Sequence, residues 1–491
     1  YGPSFVNPRT GEILGADIML EYVFMTNRLR QEKLFQPSAL EAMGSLQNNE
    51  HYSPFPRPND QLCDLGDELH NSTLFGLTAL NAMGFSEIQK KELLKESLYY
   101  LVLHEMGHTL GLMHNMKSSQ LWSPAQINDT TLTKKIGLTC SVMDYPAINI
   151  SPDKNKQGQY MTTKPGPYDK WAIEYGYSPA LADETAEHDR LEKILSRSTE
   201  AQLAFGNDAD DMRQTGFGIY PRVMIGDMSN DAITYSTQRM QLVDSVMKTI
   251  KDKYNTPGQS YQELRNAYVL LTGEYAVAAG VISRYIGGVY VDRAFIGQPG
   301  ATKPFAPVSY TDQKRAMSSL ATYLFGVNAF KIDGDLYNYV QRQRRGYSNF
   351  GISGNEDPKV TDRVLSIQRG VLFELLHPIV LKRIVDTRMY GNTYGLGEYM
   401  TDLTDAIFKD DAKTDVNVFR QNLQKEYVSW LIQIVKSQGG MYDEPAQAMA
   451  LHSLKSIQSL VTKAKSSDVL TQAHRENLAL MIQKALTGKE G

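Results

Sequence analysis

His104-Glu105-Met106-Gly107-His108-Thr109-Leu110-Gly111-Leu112-Met113-His114 sets three histidines, one glutamate and one glycine at spacings that suit a metal ion. His104 and His108 are four apart, so on a helix both rings leave one face. Neutral imidazole nitrogens bind zinc at about 2.0–2.1 Å, and two from adjacent turns can reach one ion. Glu105 lies about 100° further round the helix. Its carboxylate is expected beside the ion's open position, taking a proton from a zinc-bound water whose pKa the metal lowers to about 7. The next same-face position of the helix would lie beyond the ion, so the third ligand needs a change of direction. Gly111 takes φ > 0 without steric cost, and a turn there lets His114 swing back to complete a three-histidine site. A bare His-Glu-x-x-His arises by chance in roughly one chain in a hundred of this length; requiring Gly111 and His114 lowers that by roughly several hundred-fold.

Downstream lies Ser141-Val142-Met143-Asp144-Tyr145. Together the two segments resemble the metzincin zinc peptidases, whose metal sits above a methionine-containing turn. The resemblance implies an α+β fold, with a metzincin-like catalytic domain over residues 1–180 and a zinc cleft between a sheet-bearing upper part and a loop-rich lower part. It implies one catalytic Zn2+ on His104, His108 and His114, with Glu105 as the base and Met143 as the apolar floor. Tyr145 stands two after the turn methionine. In the astacin and serralysin branches that tyrosine is an extra metal ligand that swings out to stabilise the oxyanion; otherwise Tyr145 is one half-buried tyrosine among 28. Gly166-Pro167-Tyr168-Asp169 to Gly176-Tyr177 resembles the closing helix of such domains. Asn115, after the third histidine, matches none of the best-known branches. The chain is most similar to large bacterial extracytoplasmic zinc metalloproteases. That implies a protein or peptide substrate and a location outside the cytoplasm (secreted, periplasmic or surface-attached).

Working outward, Ser86-Glu87-Ile88-Gln89 fits a capping box opening the motif helix, with Leu93, Leu94, Leu98, Leu101, Val102 and Met106 as its apolar side. A preceding helix is expected over 62–83, with Gly84 at its end. Ile13, Leu14, Ala16, Ile18 and Leu20 read as a strand whose edge could pair with an extended substrate; further strands are expected upstream of Tyr1. Residues 45–60 and 117–160 read as loops, and a short helix is expected from Tyr168 to Tyr175, closed by Gly176. Residues 181–235 read as a connecting or inserted segment. Residues 236–491 read as an α-helical domain, with helices at 236–254, 258–285, 311–326, 360–389, 413–437, 443–464 and 467–487 and a kink at His377-Pro378.

Composition excludes other classes. The 491 residues are 42 % apolar and carry 51 basic against 55 acidic residues, for a net charge of −4. No basic patch points to nucleic acid, and no apolar run reaches the ~18–20 residues that span a bilayer. Val269 to Ile282 is interrupted by Glu274 and reads as a buried core helix. Cys63 and Cys140 are compatible with one long-range disulfide or with two buried thiols. The acidic run Asn207 to Asp211 allows Ca2+ but lacks EF-hand spacing and reads first as a solvated loop. The remaining histidines, 51, 70, 188, 377, 452 and 474, read as surface or core. Three rival functions remain. A gluzincin would need a downstream glutamate ligand, and none follows Glu105 until Glu174. A scaffold with an idle zinc would not need Glu105 beside an open position. Hydrolysis of non-peptide amides is left open, as is oligomeric state.

Overall fold

In a computed structural model, residues 4–18, 65–211, 215–332, 334–341 and 357–487 are described. The expected loop over 45–60, together with Leu20, His51 and Cys63, lies outside them. The fold is helix-rich α+β, with a helical C-terminal region. Helix α1 (Leu65–Ala82) and helix α2 (Glu87–Thr109) pack against each other. The close fit is set by Gly76, where a Cβ would lie 2.8 Å from Leu93 Cδ1. Between them Gly84, at φ +72°, reverses the chain in a conformation that only glycine adopts without cost. Ser86 caps α2 in the expected box, accepting from Gln89 N while the Gln89 side chain accepts from Ser86 N. The buried face of α2 is narrower than the leucine pattern suggested. Leu93, Ser97, Tyr100, Leu101 and His104 face inward, whereas Met106 is exposed.

Strand β2 (Ile13–Ala16) forms within the expected strand, paired antiparallel with β1 (Ser4–Val6). The residues between the two strands include Gly11, whose φ of +74° suits the turn. A second hairpin, β3 (Val289–Val291) with β4 (Phe305–Pro307), was not anticipated, because three-residue strands are too short to show period-2 alternation.

Within 117–160 the chain is largely irregular, as expected, except for α3 (Thr130–Ile136), whose N-cap Asp129 accepts from Thr131 N. Helix α4 (Pro167–Tyr177) starts with proline at its first position and runs through Gly176 rather than ending there. Helix α5 (Glu184–Leu195), capped by Asp183, lies in the stretch read as connecting segment. Then follow α6 (Ala232–Met247), α7 (Gln262–Ser283), α8 (Tyr310–Tyr323), α9 (Val360–Leu375) and α10 (Pro378–Asp386). The expected break between α9 and α10 falls at His377, whose ring caps α10 by accepting from Ile379 N. Helix α11 (Leu396–Phe408) lies between two expected helices and is not among them; Gly395 is its N-cap and Gly397 its second residue. Helices α12 (Val418–Lys436), α13 (Glu444–Lys463) and α14 (Val469–Thr487) complete the chain.

One apolar core runs from Leu69 in α1 through α2, α6 and α7 to Ile482 in α14. Helix α7, which contains the expected core stretch Val269 to Ile282, is largely buried in it. Among the described residues no single helix is long and apolar enough to cross a membrane. A smaller cluster of Trp122, Ile127, Leu138, Ala147, Met228 and Tyr235 fills the space beneath the irregular 117–160 segment.

Candidate active site

Helix α2 ends in two interlocking hydrogen bonds. Gly111 N donates to His108 O at 2.9 Å and Leu112 N to Gly107 O at 3.0 Å, the pattern of a Schellman cap. Gly111 has φ +83° and open space where a Cβ would stand, so backbone conformation alone demands glycine there. The turn carries the chain back over the helix end, and His114 comes to rest against His104 and His108, with ring centroids 5.3 and 4.7 Å away.

Each histidine is held by its Nδ1. His104 Nδ1 is 2.7 Å from Val142 O, His108 Nδ1 is 3.1 Å from Leu112 O, and His114 Nδ1 is 2.8 Å from Asp208 Oδ2. Two of these partners are carbonyls, which only accept, so those rings must carry hydrogen on Nδ1 and leave Nε2 as a lone-pair donor. A carboxylate partner fixes His114 the same way. The three histidines offer one donor atom each, all within 4.8 Å of one another. His108 Nε2 and His114 Nε2 stand 3.1 Å apart. Two facing lone pairs at that distance repel unless they share a cation, and tetrahedral zinc with bonds of about 2.0–2.1 Å separates its ligand nitrogens by about 3.3 Å. The donor set therefore fits zinc. Tyr145 OH lies 3.3 Å from His114 Nε2, at the edge of the same cluster. Glu105 is buried beside His104, at 2 % exposure.

The floor is the segment Ser141–Tyr145. Met143 is fully buried under α2. A Cβ on Gly107 would lie 2.2 Å from Met143 Sδ, so the two residues fit only because position 107 lacks a side chain. Asp169, on the first turn of α4, holds the segment from below by accepting from Ser141 Oγ (2.5 Å), Val142 N (3.0 Å) and Gly166 N (2.8 Å). Gly166 is obligatory, since a Cβ would meet Cys140 O at 2.0 Å. Asp144 accepts from Ser118 Oγ and Ser119 N, and its backbone carbonyl accepts from Tyr100 OH at 2.6 Å. Burial pushes the Asp144 and Asp169 carboxyls upward against these hydrogen bonds. Cys140 is buried beside them as a free thiol, its pKa pushed up to about 12 by burial first and then by the two carboxylates.

Sequence reading missed four supports: Gly107, Asn115, Asp169 and Asp208. Asn115 is fully buried. Its backbone N donates to Met143 O at 2.8 Å, and its side chain bridges Ala204 O and Gly206 N. It thus ties the third histidine to both the Met143 segment and the 204–208 strand of chain. The acidic run is a helical turn rather than a loop, with Asp208 solvent-exposed. Calcium finds no support there, because Asp208 faces His114 and Asp210 is paired with Arg293. Of the other histidines, His377 and His474 are buried in the helical region, His474 bonding Gln424 at 2.9 Å.

Comparison with known proteins agrees with this geometry. A family described as Met-zincin matches residues 86–415, which include the histidine cluster, the Met143 segment and Asp208. No curated protein and no solved structure matches the chain. The match spans more than half of the chain, so the protein belongs to the Met-zincin family, within the metzincin clan of metalloproteases.

Proposed function

We propose that this chain is a zinc-dependent metalloendopeptidase using His104, His108 and His114 as metal ligands and Glu105 as its base. The observation that carries the reading is the set of three histidine nitrogens within 4.8 Å of one another, on rings each held separately through Nδ1. Zinc held there would polarise a scissile carbonyl and acidify water to a pKa of about 7. Glu105 takes the proton from the attacking water as oxygen bonds to the carbonyl carbon. As the C–N bond breaks, Glu105 delivers that proton to the leaving amine. Tyr145, 3.3 Å from His114 Nε2, donates its hydroxyl hydrogen to the developing oxyanion. Buried surroundings strengthen both interactions by excluding water.

The test compares the parent with Glu105→Gln for zinc content and for cleavage of an unstructured protein. One zinc in both, with cleavage only by the parent, is expected. Full activity in Glu105→Gln would remove the mechanism. Zinc in both with cleavage by neither would favour an idle metal site in a binding protein.

A further inference from the structure

We infer that Asp208 is a positioning residue of the metal centre, setting the orientation and donor strength of His114. The inference rests on the zinc reading above.

The three histidines are not equally secured. His104 and His108 project from a helix, and the carbonyls that hold them, Val142 O and Leu112 O, belong to the backbone. His114 follows a glycine turn and lacks a helical frame. Its Nδ1 partner, Asp208 Oδ2 at 2.8 Å, comes from 94 residues downstream. It is the one anionic partner among the three. A carboxylate accepting from imidazole N–H fixes the tautomer and raises the basicity of the other nitrogen, which a neutral carbonyl does less strongly.

The downstream segment is held for this task from both ends. Asn115, the residue after His114, bonds Ala204 O and Gly206 N at 3.1 Å each. Met116 N donates to Gly206 O at 2.7 Å. Past Asp208, Asp210 accepts from Asn207 N and is paired with Arg293 beside β3. Asp208 therefore sits on a turn fixed at residues 204–206 and again at Asp210. Its side chain remains 48 % exposed, which screens its charge and places its effect at the low end of the usual 10–100-fold range for such partners.

The experiment is zinc affinity of the full chain, by competition with a chromophoric chelator, for parent, Asp208→Ala and Asp208→Glu. Unfolding of the metal-free proteins by urea serves as the control. Asp208→Ala should bind zinc about tenfold more weakly, with metal-free stability unchanged, and Asp208→Glu should recover part of the loss. A purely structural role would instead lower metal-free stability and leave zinc affinity intact. Asp208→Ala holding zinc as tightly as the parent overturns the inference while leaving the zinc reading standing. A parent that binds no zinc overturns both.

Discussion

Gly107→Ala is the smallest change that separates this site from a generic helix end. On a bare helix it would help, because alanine is favoured over glycine by about 1 kcal/mol in a helix interior. Here the added carbon would stand 2.2 Å from Met143 Sδ, 3.4 Å from its Cε and 3.5 Å from its Cγ. Non-bonded heavy atoms settle at about 3.5–4.0 Å, so the sulfur must withdraw by roughly 1.5 Å. Met143 is fully buried, and close-packed interiors hold few voids into which a displaced side chain can move. Overpacking of this kind costs about 1–3 kcal/mol, leaving a net destabilisation of about 0–2 kcal/mol once propensity is subtracted. The larger effect falls on the metal. Val142 O holds His104, and Met143 O receives the N–H that follows His114, so displacing Met143 disturbs two histidines. Loss of a ligand's outer partner weakens zinc binding by about 10–100-fold, and Gly107→Ala is expected within that range. Chelator competition measures it, with urea unfolding of the metal-free protein alongside. Combining the change with Met143→Ala should give a smaller affinity loss than the two changes summed. Parent-like zinc affinity together with a stability gain near 1 kcal/mol would refute this account of the floor.

Other perturbations read different parts of the molecule. Tyr145→Phe should keep zinc and lower kcat by about 10²-fold with little change in KM, as expected for one lost oxyanion donor; equal kcat would return Tyr145 to a packing role. In a Cys63→Ser chain, Cys140 should resist iodoacetamide at pH 8 until the protein is denatured, since burial holds its pKa near 12; rapid labelling of the native protein would contradict its placement. His377 has its pKa lowered to about 4, by burial first and then by Arg383, below the ordinary value of about 6.5. The unfolded chain therefore protonates first. Stability from this group is complete above about pH 6.5 and declines towards pH 4 at up to about 1.4 kcal/mol per pH unit. His377→Asn keeps a capping side chain without the titration, so parent stability should fall relative to the variant as pH drops from 7 to 4. A constant difference in urea unfolding across that range would refute it.

What was legible in the sequence was what local chemistry writes at fixed spacing. The capping box at Ser86, the stop at Gly111 and the clustering of the three histidines need only helix geometry and the φ preference of glycine, and all three stand where the spacing put them. The break at His377-Pro378 is of the same kind. Illegible were features that depend on residues remote in sequence. Gly107 looks like any helical glycine until Met143 arrives beneath it. Asp208 lies in an ordinary acidic run, and only the approach of His114 gives one of its carboxylates a task. Asp169 reads as an N-terminal helix residue, which it is, but the N–H of Val142 makes it a support of the site floor. Helix α11 carries Leu396, Met400, Leu403 and Ile407 at 3–4 spacing on its buried side, a local signal that the sequence does contain.

The lower half of the site explains why so much chain accompanies one motif. Residues 137–162 contain no regular helix or strand beyond single turns, yet most of them are buried. Buried backbone groups need partners, and a segment that cannot supply its own ladder must take them from elsewhere. Downstream chain provides them: Gly226 N donates to Tyr145 O at 2.8 Å, Ala147 N to Asp227 O at 3.0 Å, and Arg239 on α6 reaches Ile148 O. Arg239 is itself buried and paired with Glu274 on α7 at 3.2 Å. The segment that carries Met143 and Tyr145 is thus hydrogen-bonded directly to residues 226–239 and, through one ion pair, to the central helix of the C-terminal region. A matched family region that runs on past α7 accords with this dependence, because Tyr145, Ala147 and Ile148 would lose these partners if the chain stopped after α4.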